Sequence, residues 1–101
     1  YHGNMMSSML SRRALPTEFA LAQNFPNPFN PVTRININLP ELSNWSLDIF
    51  NVTGQVIESF TGNGIGIVGI DWDARSYPSG VYFYKVQVGS WTASKKMLLL
   101  K

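Results

Sequence analysis

Apolar and polar residues alternate repeatedly along the chain from Arg34 onward, and this is the period of a β-strand with one buried face. Residues 34–39 and 47–49 follow the pattern strictly, and residues 81–88 are rich in the tyrosine, phenylalanine and valine that strands favour. No segment has helical periodicity over the length that a core helix needs. The pattern predicts an all-β fold, an antiparallel immunoglobulin-like β-sandwich of about seven strands.

The ends of the strands are predicted from residues that interrupt pairing. Pro40 is expected to end the first strand because proline has no N–H for the ladder. Residues 61–64, Thr-Gly-Asn-Gly, are expected to form a turn because glycine and asparagine tolerate positive φ. Thr53-Gly54 and Gly89-Ser90 are expected to turn two hairpins. These breaks give six strands, and residues 19–25 are the candidate for a seventh.

Residues 24–31, Asn-Phe-Pro-Asn-Pro-Phe-Asn-Pro, form the least regular part of the predicted domain. Each proline lacks the N–H that a central strand requires and holds the preceding residue in extended geometry. We expect an extended, irregular edge with asparagine-initiated turns, held to the domain by Phe25 and Phe29. Residues 1–18 show no clear period and are expected to form a linker.

The residue inventory excludes most enzymatic chemistry. The chain has no cysteine, which rules out disulfides, thiolate zinc sites and thiol catalysis. Its single histidine, His2, lies in the predicted linker, so no Ser–His or metal–His arrangement forms inside the domain. No stretch approaches the roughly 20 apolar residues of a membrane span. We expect no enzyme, no cofactor and no membrane insertion.

The remaining candidates for a site are weak. Asp71 and Asp73 would share a strand face about 6–7 Å apart, which makes them candidates for a calcium site, although a structural turn at Asp73 is favoured. A formal charge of +2 with scattered cations does not favour nucleic acid as a partner. Tyr82 and Tyr84 are expected to face the core. The three tryptophans would form a carbohydrate platform only if exposed: Trp45, Trp72 and Trp91.

Residues 95–101, Lys-Lys-Met-Leu-Leu-Leu-Lys, place two cations before four consecutive apolar residues. A strand with one solvated face should alternate, so this run requires cover on both faces. Two interpretations remain open. Either the proline-rich segment or the linker shields the strand, or the strand meets another protein by edge pairing or in a groove.

Four segments match, in order, the motifs of a known family. Residues 21–31, LAQNFPNPFNP, match an opening signature, and residues 47–57, LDIFNVTGQVI, match a middle motif. Residues 79–85, SGVYFYK, followed by residues 95–99, KKMLL, match the closing motifs. The chain thereby resembles, over residues 21–101, the type A C-terminal sorting domain of the type IX secretion system of Bacteroidetes-type bacteria.

The resemblance implies a linker over residues 1–18 and a sorting domain over residues 19–101, which directs an attached upstream cargo through an outer-membrane translocon. The cargo would reach the cell surface or be secreted, and a sortase-like cysteine protease would then remove the domain, cutting within about residues 1–22. Gln55 stands where the family usually has arginine, a mild departure. The implied recognition elements are Gly80, Tyr82, Lys95, Lys96, Met97, Leu98 and Leu99.

Two other functions remain as alternatives. The immunoglobulin-like domain of flagellar hook-capping proteins shares the Asn-Pro-Phe-Asn-Pro segment and the Gly-x-Tyr strand, and there the domain would be structural. A sorting domain ends at its Lys-Lys-apolar strand, as this chain does at Lys101, which favours sorting. The second alternative is a carbohydrate-binding β-sandwich module.

Overall fold

The computed structural model describes residues 16–101, and antiparallel strands account for most of them. The strands are β1 (Ala20–Leu21), β2 (Val32–Phe50), β3 (Val56–Asp73), β4 (Gly80–Val88) and β5 (Trp91–Leu99). The all-β prediction is confirmed. Within the described range no helix is long and apolar enough to cross a membrane. The linker prediction falls mainly on residues 1–15, outside the described residues.

Two strands are much longer than the sequence predicts. Pro40 does not end β2, because residues 40–42 have no partner where the register with β3 shifts, so the missing N–H is not required. Residues 61–64 do not turn but continue β3. The turns at Gly54 and Gly89 are confirmed, with φ of 84° and 59°. Five strands therefore form where about seven were expected.

Glycine at position 62 is required by close packing within β3. Gly62 stands directly opposite Trp45 of β2, and the indole lies over it. A Cβ at this position would overlap Cζ2 of Trp45 and would lie 2.7 Å from Cε2. The glycine thus makes room for the tryptophan, and an apparent turn residue becomes part of a strand.

The sheet curls around the core, and β2 is its central strand, paired with three others. β3 pairs with β2 along nearly its whole length, and the other edge of β2 is divided between β1, at residues 37–38, and β4, at residues 46–50. Strands that are not hydrogen-bonded neighbours meet across the interior, where the ring of Trp72 on β3 lies 5.6 Å from that of Tyr82 on β4. One continuous sheet therefore encloses the core.

The asparagine- and proline-rich segment, residues 22–31, is anchored by only one of its two phenylalanines. Phe29 is buried and lies 5.7 Å from Trp72 between ring centroids. Phe25 is 79% exposed, so the prediction that it anchors the segment is wrong. Its backbone exchanges two 2.9 Å hydrogen bonds with Arg34 of β2, which fix the chain and leave the side chain in solvent.

Candidate recognition site

The edge of β5 is occupied by the asparagine- and proline-rich segment. Phe29 donates its N–H to the carbonyl of Leu98 and accepts the N–H of Leu100, both at 3.0 Å. Asn27 Oδ1 accepts the N–H of Leu98 at 3.0 Å, and Gln23 Nε2 donates to the carbonyl of Lys96 at 2.8 Å. The segment therefore covers the edge of the terminal strand, while Lys96 and Leu100 on its outer face remain exposed.

A buried tyrosine joins the same segment to β4. The hydroxyl of Tyr84 donates to the carbonyl of Ala22 at 2.7 Å and accepts the N–H of Asn24 at 2.8 Å. The side chain of Asn24 donates in turn to Thr33 Oγ1 at 3.0 Å. Tyr84 is fully buried, and burial raises its pKa to about 12. The hydroxyl therefore stays protonated, and its two hydrogen bonds join the opening motif to the closing motif.

The Gly-x-Tyr part of the closing motif starts β4. Gly80 has a φ of 154°, which side-chain-bearing residues rarely adopt. Tyr82 is buried, and its hydroxyl donates to the carbonyl of Pro78 at 2.7 Å, while burial raises its pKa. Both residues fix the conformation of the chain entering β4. The prediction that Tyr82 and Tyr84 face the core is confirmed.

The Lys-Lys-apolar motif of β5 is divided between the two faces of the sheet. Met97 and Leu99 are buried in the core, and Lys95 lies half-buried on the same face. Lys96 is exposed and Leu98 half-buried on the opposite face. Alternation along the strand thus separates the motif into residues that hold the fold and residues that solvent reaches.

The exposed face of the sheet around β4 carries apolar residues that no sequence motif indicated as a site. Phe83 of β4 stands directly between Phe50 of β2 and Lys96 of β5, and Val56 of β3 stands opposite Phe50. Phe83 is 39% exposed and Val56 47%. Together with Leu98 on the same face, these residues are called the outer patch below. The buried tyrosines on either side of Phe83 were the signal that places it outward.

Asp71 and Asp73, the two candidates for a calcium site, are each paired with an arginine. Asp71 accepts two hydrogen bonds from Arg34, at 2.8 and 3.0 Å. Asp73 accepts the N–H of Arg75 at 3.1 Å, which is the expected turn at the end of β3, and also its guanidinium. The hydrogen bonds from the Arg75 side chain and backbone lower the pKa of Asp73. The described residues contain no group of acidic or histidine side chains suited to a metal ion.

The tryptophans do not form a carbohydrate platform. Trp72 is buried in the core, and Trp45 lies half-buried over Gly62. Trp91 is half-buried and stacked on Phe19, with 5.4 Å between ring centroids. None of the three is exposed, so the condition for sugar stacking is not met.

Comparison with known proteins gives one decisive match. A family model described as the secretion system C-terminal sorting domain matches residues 23–100. The chain belongs to this family. The sorting domain is the C-terminal secretion signal of the type IX system, and it marks proteins for export to the cell surface or for secretion through the outer membrane. The family is not a catalytic one. No curated protein matches the chain significantly.

Among solved structures, the sorting domain is similar to part of the dimeric latent PorU of Porphyromonas gingivalis. The two share 19% sequence identity with a TM-score of 0.65, over 83% of this chain and 10% of that chain. The sorting domain thus corresponds to about a tenth of PorU. At this identity the similarity concerns the fold alone, and it agrees with the all-β architecture.

Proposed function

We propose that the type IX translocon recognises the sorting domain through the β4–β5 hairpin, and that a sortase-like protease then separates it from its upstream cargo. The proposed recognition elements are the closing-motif residues: Gly80, Tyr82, Lys95, Lys96, Met97, Leu98 and Leu99. The family match carries the proposal, since membership implies both an attached cargo and the type IX machinery. The domain acts as a substrate and not as an enzyme.

The fold supports this role for the hairpin. The closing motifs form two complete, paired strands, and the opening motif is hydrogen-bonded to both of them through Tyr84 and Leu98. The conformation of such a signal therefore depends on the contacts between its opening and closing motifs. Cleavage within about residues 1–22, a range that ends just after the short strand β1, leaves the pairing among β2, β3, β4 and β5 intact.

The proposal is tested by attaching the 101-residue chain to a reporter protein with an export signal in a host that has type IX secretion. We expect wild-type chains to bring the reporter to the surface or the medium, and chains lacking residues 95–101 to leave it in the periplasm. Because that deletion also removes Met97 and Leu99 from the core, the K95A/K96A double variant is tested beside it.

The matched control is R34A, which removes an exposed cation from the other half of the sheet. We expect R34A to be displayed like the wild type and K95A/K96A to be displayed less. Surface display of both shortened and double-variant chains at the wild-type level would contradict recognition through the hairpin. Failure of the wild-type fusion itself would contradict the sorting role and would favour the structural alternative.

A further inference from the structure

The outer patch, Phe50, Val56, Phe83, Lys96 and Leu98, has no role in holding the fold that explains its composition. Phe83 lies in a strand paired on both sides, on the face turned away from the core. Polar side chains are expected on that face of an antiparallel sheet, and Lys85 and Gln87 occupy the following outward positions of β4. An aromatic ring exposed at the centre of a sheet, in a row with other apolar side chains, is typical of an interaction surface.

The patch carries one cation that stands opposite no carboxylate. Lys96 stands directly opposite Phe83, whereas Lys85, two residues further along β4, stands directly opposite Asp48 of β2. The two ion pairs in residues 16–101 join Arg34 to Asp71 and Arg75 to Asp73, so neither lysine has a carboxylate within ion-pairing distance. Lys96 is therefore available to an anionic partner, and charge complementarity across an interface contributes to specificity and association rate.

A partner strand does not have access to this part of the terminal strand. The carbonyl of Lys96, the N–H and carbonyl of Leu98 and the N–H of Leu100 are already bonded to residues 23–29. These bonds leave little backbone for added main-chain pairing, which favours recognition through side chains on the exposed face.

From these observations we infer that the sorting domain is recognised at the outer patch by a folded protein. The surface of that protein combines apolar side chains with Asp or Glu carboxylates. Phe50, Val56 and Phe83 are specificity-determining residues under this inference, although they lie outside the Lys-Lys-apolar motif. Among the proposed recognition elements, the buried Met97 and Leu99 contribute by holding the hairpin in shape. The inference rests on the proposed function and assigns the contact within it.

The test uses the same reporter fusion with single substitutions in the patch. We expect F83S and K96E each to reduce display by at least about tenfold, because central aromatic and charged contacts dominate binding energy. K96R preserves the charge and should be displayed at close to the wild-type level. T92E, on the exposed face of β5 but distant along the strand from the patch, is the control and should also be displayed normally.

Thermal unfolding of the purified 101-residue chains separates recognition from folding. Lys96 is exposed, so K96E should keep the wild-type melting temperature within a few degrees and remains informative if F83S folds poorly. Normal display of K96E and F83S beside a displayed wild type would overturn the inference while leaving the sorting role intact. Absence of wild-type display would instead overturn the proposed function, and the inference with it.

A lipid surface is distinguished by sedimentation with vesicles of phosphatidylcholine containing phosphatidylglycerol. We expect the purified chain not to bind these vesicles, since the patch has only Lys96 and Lys85, and Lys85 stands opposite Asp48, which leaves little electrostatic attraction to anionic lipid. Binding that is lost in K96E in parallel with display would overturn the acidic protein partner in favour of a membrane.

Discussion

The opening and closing motifs each place one side chain in the core and leave a near neighbour of the same type outside it. Phe29 is buried while Phe25 is 79% exposed, and Leu99 is fully buried while Leu98 is only half-buried. In each pair the residue type is the same and the motif is the same. The difference therefore comes from geometry alone, and it teaches that a family motif contains two sets of residues: one that stabilises the fold and one that remains available for contact.

The phenylalanine pair should show the largest difference in stability. We expect F29A to lower the free energy of unfolding by about 3–5 kcal/mol, because it leaves a cavity beside Trp72. F25A should change it by less than about 0.5 kcal/mol, since the ring is mostly in solvent. Urea unfolding followed by tryptophan fluorescence measures both. Equal effects of the two substitutions would mean that the division between core and exposed motif residues is wrong.

Leu99 and Leu98 allow the same comparison of a core residue with an outer residue within a single strand. L99A removes a fully buried side chain, and we expect a loss of about 2–5 kcal/mol. L98A acts on the half-buried face and should cost about 1 kcal/mol. The two variants are compared by chemical denaturation at the same protein concentration. A larger loss for L98A than for L99A would refute the assignment of Leu99 to the core.

A smaller effect is expected at the tyrosine that joins the two motifs. Y84F should cost about 1–3 kcal/mol, because it removes the hydroxyl that bonds both the Ala22 carbonyl and the N–H of Asn24. The folded state raises the pKa of Tyr84 to about 12, above its ordinary value of about 10, so its contribution is complete below pH 10.

That contribution should fall by about 1.4 kcal/mol per pH unit between pH 10 and 12, where the unfolded chain loses the proton and the folded chain keeps it. The measurement is the difference in unfolding free energy between wild type and Y84F at several pH values. A difference that stays constant up to pH 12 would show that Tyr84 is not protected from ionisation in the fold.

Much of the division between core and exposed residues could be predicted from the alternation of side chains along each strand. The period of two along residues 81–88 places Tyr82 and Tyr84 on one face, and the structure confirms that this face is the core. The same alternation places Trp72 on the face opposite to Asp71 and Asp73, and it is buried. Alternation is a local property of the backbone, so it can be read without knowledge of the partners of a strand.

The features that were not predicted depend on partners distant in sequence. Pro40 is tolerated because it lies where the register with β3 shifts, and Gly62 fits a strand because Trp45 lies above it. The outer patch was missed for the same reason, since Phe50 and Phe83 become neighbours only once the register of β2 and β4 is known. Residue types alone do not carry this information.

The hydrogen bond between Asn27 and Leu98 joins groups 71 residues apart in sequence, which gives the order of synthesis a structural meaning. A nascent or partly exported chain that stops before residue 96 has its opening motif but lacks the strand on which that motif rests. Phe29 then has no β5 backbone to pair with, and the long loop cannot close. The pairing of the opening motif with the terminal strand can therefore form only once residues 96–100 are present.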